Sequence, residues 1–441
     1  MTENRYDVLF QHAQVITMED TGPLLPDACV GVRDGRICYV GEGRETPGAH
    51  KVIDARNKIL MPGFVNAHAH TAMCVMRGCA DDYDLHTWLH EHIFPIEARM
   101  EEEDALAGVR LGLMESIASG ITSTSDMYPF LPATLRAAAE AGVRYSMTRP
   151  MFFLGEGEYD FDKTDAALEL KEAMAQGLHG YDNGRVRVDA GIHAEYSSGP
   201  QQWRDMAAFA RECELVLQVH VSETKAEHEA CLARHGKTPA RALHDAGVFG
   251  GPAIAAHCVW TEPGDWDIFR DWGVSAVHNP VSNLKLASGV APVAKMLKAG
   301  VNVALGTDGC CAGNTLNFFE AIKLAALLQK GTTLEPTALP AYEALKLATV
   351  NGAKAQGREH QIGRVREGLE ADLILIDLDK PHMTPCFDPV AQMVYCARPE
   401  DVCLTMVKGR ILYEDGEFLT LDAEACLFDA RQRSLKLVRG V

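Results

Sequence analysis

Positive charge is in short supply. The 441 residues carry 42 Lys and Arg against 61 Asp and Glu, a formal net charge of −19 at pH 7. That balance argues against nucleic acid or an anionic membrane surface as a partner and favours a neutral, zwitterionic or cationic ligand. No apolar run reaches the length needed to cross a bilayer. The start, Met1-Thr2-Glu3-Asn4-Arg5-Tyr6-Asp7, lacks the basic opening and apolar core of a leader, so a soluble, cytoplasmic protein without a membrane partner is expected. Thirteen cysteines are scattered through the chain. They form neither a disulfide ladder nor a paired Cys-x-x-Cys zinc ribbon, and even Cys310-Cys311 read as reduced thiols. No low-complexity run breaks the pattern, which leaves little room for disorder away from the ends.

What is present is an ordinary globular composition, 47% apolar and 23% charged. The length suits a large barrel plus one accessory domain. From Tyr6 to Ile59 short strand-like segments alternate with turns: Asp7 to Phe10, Gln14 to Thr17 and Ala28 to Val32, with Asp34-Gly35 as a turn. Similar text returns at Gly363 to Val365, Ala371 to Asp377, Val402 to Val407 and Arg410 to Tyr413. Two β-rich ends flanking a long middle are expected to share one sheet domain, with residues 1–60 and 363–441 forming a β-sandwich around a central domain of residues 61–362.

The middle alternates apolar strands with helical spacing. Strands are expected over Gly63 to His70, Gly120 to Met127, Arg144 to Arg149, Val186 to Ala194, Leu215 to Ser222, Ala253 to Val259, Ser275 to Asn279 and Asn302 to Asp308. Helices are expected over Glu102 to Ser119, Leu131 to Ala141, Gln201 to Cys213, Thr238 to Ala246 and Leu316 to Leu328. Eight such units predict an α/β fold, a (β/α)8 barrel, rather than a doubly wound sheet. No Gly-x-Gly-x-x-Gly follows the first of these strands, which weakens the dinucleotide-binding alternative.

Chemistry in such a barrel gathers at the C-terminal strand ends. His68 and His70 close the first strand, and the period of two turns both to the same face. The fourth strand carries His193, the fifth His220-Val221-Ser222-Glu223, the sixth His257, the seventh His278 and the eighth Asp308. Any one histidine taken alone also reads as a satisfied core residue. Imidazoles with one carboxylate suit a borderline divalent ion such as zinc, and three or four protein ligands leave a position for water. His68, His70, His220 and Asp308 are the expected ligands, because small neighbours leave their side chains room. An acidified water makes hydrolysis the default reaction. Glu223, three residues past a ligand, reads as a proton shuttle, or else as a first-turn glutamate of a helix over Ser222 to Ala233. His257, in an apolar strand, reads as a residue that orients or deprotonates the water.

With these residues in place the chain resembles the amidohydrolase superfamily, and within it the 5-methylthioadenosine/S-adenosylhomocysteine deaminases. The resemblance rests on Pro62 to His70, Trp88-Leu89 with Phe94-Pro95-Ile96-Glu97, Val219 to Thr224, Ala256 to Val259, His278 to Leu286 and Leu305 to Gly309, and it covers almost the whole chain. It implies a distorted (β/α)8 TIM barrel beside a β-sandwich made by both ends. It also implies one divalent metal per chain on His68, His70, His220 and Asp308, usually Zn2+, with Fe2+ or Mn2+ as alternatives. Hydroxide would add to C6 of an adenine ring, Glu223 would carry a proton to N1, and His257 and Asp308 would act on the water. The same resemblance places Glu97 on the ribose hydroxyls, His193 on the purine, Trp88 beside the substrate and Arg149 on a homocysteine carboxylate.

The departures concern the substrate. Phe152 to Lys171 has no arginine where a second carboxylate-binding one is expected, and Cys310-Cys311-Ala312-Gly313-Asn314 replaces the usual small-small-Ser-Asn run. Adenosine, 5′-deoxyadenosine, 5′-methylthioadenosine and other small or neutral 5′ groups are therefore favoured over S-adenosylhomocysteine. Guanine, pterin or an s-triazine is the rival substrate set, and an inactive barrel kept for binding is the rival class, though no ligand or shuttle is missing. Apolar segments after Pro95 and around Phe318-Phe319 read either as a contact between copies in a homo-oligomer or as core.

Overall fold

The computed structural model describes residues 5–43, 48–155 and 157–439; Met1 to Asn4, part of the segment read for a leader, lie outside the described residues. Eight parallel barrel strands follow the expected order, but two of them are broken. The fourth is split into Val186–Val188 and Ala190–Ala194, and the eighth into Asn302–Leu305 and Asp308–Gly309. The barrel is therefore two five-stranded arcs. One runs Asp308–Gly309, Phe64–His70, Ile121–Met127, Arg144–Thr148, Val186–Val188; the other runs Ala190–Ala194, Leu217–Val221, Ala253–His257, Ser275–His278, Asn302–Leu305.

Each break has a local cause. Asp189 sits between the arcs, where its backbone N–H donates to Met147 O at 2.8 Å and its carboxylate accepts from Gln218 Nε2 at 2.9 Å. At the eighth strand, Gly306 passes so close to its neighbours that a Cβ would lie 2.4 Å from Asn279 Oδ1 and 2.8 Å from His68 O. Only glycine fits there. The Asn66 side chain then stitches the strand to the first, accepting from Thr307 N at 3.1 Å and donating to Thr307 Oγ1 at 2.7 Å. Pairing resumes with Asp308 opposite Ala69, which sets that carboxylate beside the two histidines.

The helices lie close to their expected places: Glu102–Ala118, Leu131–Ala141, Pro200–Glu212, Pro239–Asp245 and Phe318–Thr333. Phe318 and Phe319 are core, not surface. Both pack on Phe64, at 5.6 and 5.1 Å between ring centroids.

Strands from both ends make one nine-stranded, mostly antiparallel sheet. It curls into two layers: the Asp34-Gly35 turn meets Ala371, whose N–H donates to Gly35 O at 2.9 Å, and residues from Val8 to Met406 share one apolar cluster. Asp7 to Phe10 and Gln14 to Thr17 are not two strands but one, Tyr6–Ile16, bent at His12 where φ is 63°. Gly363 to Val365 is not a strand; it meets the sheet through one bond, Val365 N to Thr17 O at 2.9 Å. No helix among the described residues is long and apolar enough to cross a membrane.

Sheet and barrel are joined by a buried ion network. Arg144, on the third barrel strand and fully buried, donates through Nη2 to Asp372 Oδ1 at 2.8 Å and to Glu370 Oε2 at 2.5 Å. Removing one partner leaves a guanidinium without full compensation in a dry junction. Asp372→Ala is expected to cost about 3–5 kcal/mol of stability, read by denaturant unfolding, because breaking a buried pair exposes the desolvation cost of the survivor; a loss below about 1 kcal/mol would show that the junction does not depend on this pair.

Candidate active site

The first strand delivers His70 to the floor of a cavity of about 890 Å3 that opens at the C-terminal strand ends, with His68 buried just beneath it. His70 donates from Nδ1 to Met127 O at 2.6 Å, and His220 donates from Nδ1 to His193 O at 2.6 Å. With each Nδ1 proton committed to a carbonyl, a neutral ring carries its lone pair at Nε2. These two Nε2 atoms face each other 3.3 Å apart. Asp308 Oδ1 lies 3.2 Å from His70 Nε2 and 3.6 Å from His68 Nε2, and neither ring nitrogen of buried His68 has a hydrogen-bond partner. Lone pairs and a carboxylate crowded without protons between them fit a divalent cation, and the donor set is one that zinc accepts.

Burial reinforces this. It pulls the His68 imidazole down to about 4, and it pushes His220 well below the usual histidine range, helped by the neighbouring imidazoles. Both rings are thus held in the neutral form that a metal requires. Burial acts to raise Asp308, but the neighbouring imidazoles of His68, His70 and His257 outweigh it and hold the carboxyl well below the usual range. Ser282 Oγ also donates to Asp308 Oδ2 at 2.5 Å.

His257 approaches the same point from the sixth strand. His68, His220 and His257 form one set of mutually close donors and His68, His70 and Asp308 another, each within 4.8 Å. His257 turns only its Nδ1 away from that cluster, donating to Asn283 Oδ1 at 2.8 Å, while its Nε2 faces the cavity 3.7 Å from Glu223 Oε2. Three strand ends here have left-handed backbone, with φ of 49° at Ser222, 71° at His257 and 62° at Asp308. Such values are costly for non-glycine residues and persist where surrounding contacts impose them.

The presentation of Glu223 corrects one alternative. The helix spans Lys225–His235 with Thr224 as its N-cap, so Glu223 lies before the helix and is not a first-turn residue. Glu227 shapes this turn. Its carboxylate accepts from the N–H groups of Ser222 at 3.0 Å and Glu223 at 2.7 Å, leaving the Glu223 side chain to enter the cavity. Burial, then the charge of Asp308, pushes Glu223 up to about 8.

Around the walls, Glu97 lies on the cavity and accepts from Tyr128 Oη at 2.5 Å. Burial raises its pKa, against the Tyr128 hydrogen bond. His193 lines the cavity 5.0 Å from His220 between ring centroids, and burial lowers it to about 3, so it is neutral. Trp88 is also on the wall, but its indole N–H is committed to Ala80 O at 3.2 Å, leaving an apolar face. Arg149 lines the outer wall beside Asp165 and Glu169. His278 stays out of the cluster: it is buried, and it neither lines the cavity nor joins a donor set. Tyr128, Ser282, Asn283 and Glu227 join the site without a role expected from the sequence. Tyr128 had only its place one residue past a strand end, and Glu227 the Thr-x-x-Glu spacing of a capping box.

The chain is similar to known proteins over nearly its whole length. The amidohydrolase family matches residues 59–412. A 5′-deoxyadenosine deaminase of Methanosarcina mazei is 41% identical over 435 residues, covering 99% of each chain. A 5-methylthioadenosine/S-adenosylhomocysteine deaminase of Thermoanaerobacter pseudethanolicus is 38% identical, covering 98% of this chain and all of its own. Among solved structures, an adenosine deaminase from Xanthomonas campestris with bound zinc superposes with a TM-score of 0.91 at 29% identity, over the full length of both chains. With a family match over most of its length and full-length relatives of this kind, the chain belongs to the amidohydrolase family.

Proposed function

We propose that this protein hydrolyses the C6 amino group of adenosine-type nucleosides, yielding the inosine analogue and ammonia. The observation that carries this reading is that Glu223 and Glu97 open onto one cavity, the first beside the histidine and aspartate cluster and the second on its wall. A ring deamination needs a proton delivered to a ring nitrogen, and a nucleoside needs an acceptor for its ribose hydroxyls. The full-length similarity to a 5′-deoxyadenosine deaminase supports the same substrate class.

His68, His70, His220 and Asp308 would hold one divalent ion, with zinc best matched to three imidazoles and a carboxylate, and the chemistry it supplies when bound is acidification of water. The chain's own groups do the rest. His257, held through Nδ1 by Asn283, points Nε2 inward to orient the water and take up its proton together with Asp308. Glu223 protonates N1 as oxygen bonds to C6; the proton taken up by Asp308 and His257 then passes to the amino nitrogen, the C6–N bond breaks to release ammonia, and the C6 hydroxyl proton returns to Glu223. Glu97, fixed by Tyr128, accepts the ribose hydroxyls. Neutral His193 contacts the purine, and the apolar face of Trp88 excludes water. A guanine, pterin or triazine substrate would offer Glu97 no hydroxyl to accept from.

Elemental analysis of purified protein is expected to find one divalent ion per chain, with activity lost on exhaustive chelation and restored by zinc; full activity in metal-free protein would refute the ligand set. Glu223→Gln is expected to keep metal and fold while turnover falls about a hundredfold or more, the range of a lost general acid-base contribution. Near-normal turnover would leave Glu223 without its assigned role. For Glu97→Ala, the specificity constant on nucleosides is expected to fall about tenfold to a hundredfold further than on free adenine, as a lost charge-assisted contact implies. Equal losses on both would remove Glu97 from the ribose.

A further inference from the structure

The outer wall of the cavity carries a charge arrangement that bears on which adenosine compounds enter. Of the described residues lining the cavity, Arg149 and Lys163 are the only Lys or Arg side chains. Both are already engaged. Arg149 Nη2 lies 3.4 Å from Asp165 Oδ2 and its Nε lies 3.5 Å from Glu169 Oε1, while Lys163 Nζ lies 2.9 Å from Asp160 Oδ2. Glu158 adds another carboxylate to the same wall.

The two acids on Arg149 differ in weight. Asp165 is largely exposed, with 80% of its side chain accessible, so water and salt screen its pull. Glu169 is 22% accessible and is fixed from the other side, where its Oε2 accepts from Leu131 N at 2.7 Å. Glu169 is therefore the firmer counter-charge. A substrate arm ending in a carboxylate would have to take Arg149 from this partner and would then sit among like charges. An arm ending in an ammonium would meet the same acids favourably, and a neutral arm would be indifferent to them.

We propose that Glu169, assisted by Asp165, sets substrate preference by occupying Arg149, so that the cavity accepts adenosine compounds with neutral or cationic 5′ arms and turns away those ending in a carboxylate. This rests on the proposed deamination. It adds two specificity-determining residues outside the reacting atoms and a preference for positive charge at the 5′ end.

The test compares S-adenosylhomocysteine with 5′-S-(3-aminopropyl)-5′-thioadenosine, the same compound without its carboxylate, and with 5′-deoxyadenosine. Ammonia release by the metal-loaded enzyme is measured for each. The specificity constant for the aminopropyl compound is expected to exceed that for S-adenosylhomocysteine by about tenfold or more, the scale of one charge-assisted contact. In Glu169→Gln, which keeps an acceptor for Leu131 N, that ratio is expected to fall by about tenfold, with a smaller fall in Asp165→Asn. The ratio is the readout, so a general loss of activity cancels. Equal rates on both long-armed compounds, or a ratio unmoved by either variant, would overturn this inference while leaving the deamination standing. No turnover of any adenosine compound would instead overturn the deamination, and this inference with it.

Discussion

Two imidazole nitrogens that face each other at 3.3 Å without a proton to share are the constraint on which the site depends. They are set that way by backbone carbonyls of neighbouring strands: Met127 O takes the Nδ1 proton of His70 and His193 O takes that of His220. Each strand end thus orders the histidine beside it. The resulting cluster of lone pairs is unfavourable by itself, and it is stable only with a cation among the donors or with strain carried by the surrounding fold. Left-handed backbone at Ser222, His257 and Asp308 is part of that strain. The packing that imposes it is the barrel.

Closure of the barrel follows the same logic. A regular eighth strand would continue its ladder past Gly306, but there the chain runs too close to Asn279 and His68 for any side chain. Asn66 replaces the missing ladder bonds with side-chain ones and returns the strand to register at Asp308. The carboxylate therefore reaches the histidines because of an irregularity. On the opposite rim Glu227 performs a similar service, collecting backbone N–H groups so that Glu223 turns inward before the helix begins. Burial and the charge of Asp308 raise Glu223, and the charge of Glu223 in turn adds to burial in raising Glu227 to about 7. The chemistry and the supports of the turn thus share one electrostatic environment.

The terminal sheet holds this barrel from outside. Its curled layers carry their own apolar cluster, and its joint to the barrel combines apolar packing, with Ile374 and Val407 in the same core as Phe64 and Ile121, with the buried ion pairs of Arg144 to Glu370 and Asp372. A buried guanidinium tolerates only a geometry that satisfies it, so this joint favours one orientation of sheet against barrel. The helix Ala423–Ser434 adds a second tie, since Arg433 meets Asp104 at 3.4 Å near the start of the Glu102–Ala118 helix.

Much of this was legible in the sequence. Most barrel strands, buried on both faces, read as apolar runs, although Ile121–Met127 is buried with Ser, Thr and Asp along its length. His68 and His70 share a face because strand periodicity is two, whatever surrounds them. The clustering of histidines at strand ends pointed to the site because a barrel brings those ends together. Other features depend on groups far apart in the chain. Whether Phe318 and Phe319 were surface or core was decided by Phe64. The helix after Glu223 starts later than its apolar spacing implied because Thr224 and Glu227 cap it. Tyr128 has no local pattern that ties it to Glu97, and Arg149 looks available until Glu169 is placed beside it. Local periodicity determined which residues could share a strand face or a strand end. Tertiary structure alone decided which nitrogens are bare and which charges are already paired, because both depend on the atom that lies within hydrogen-bond reach from another strand or helix.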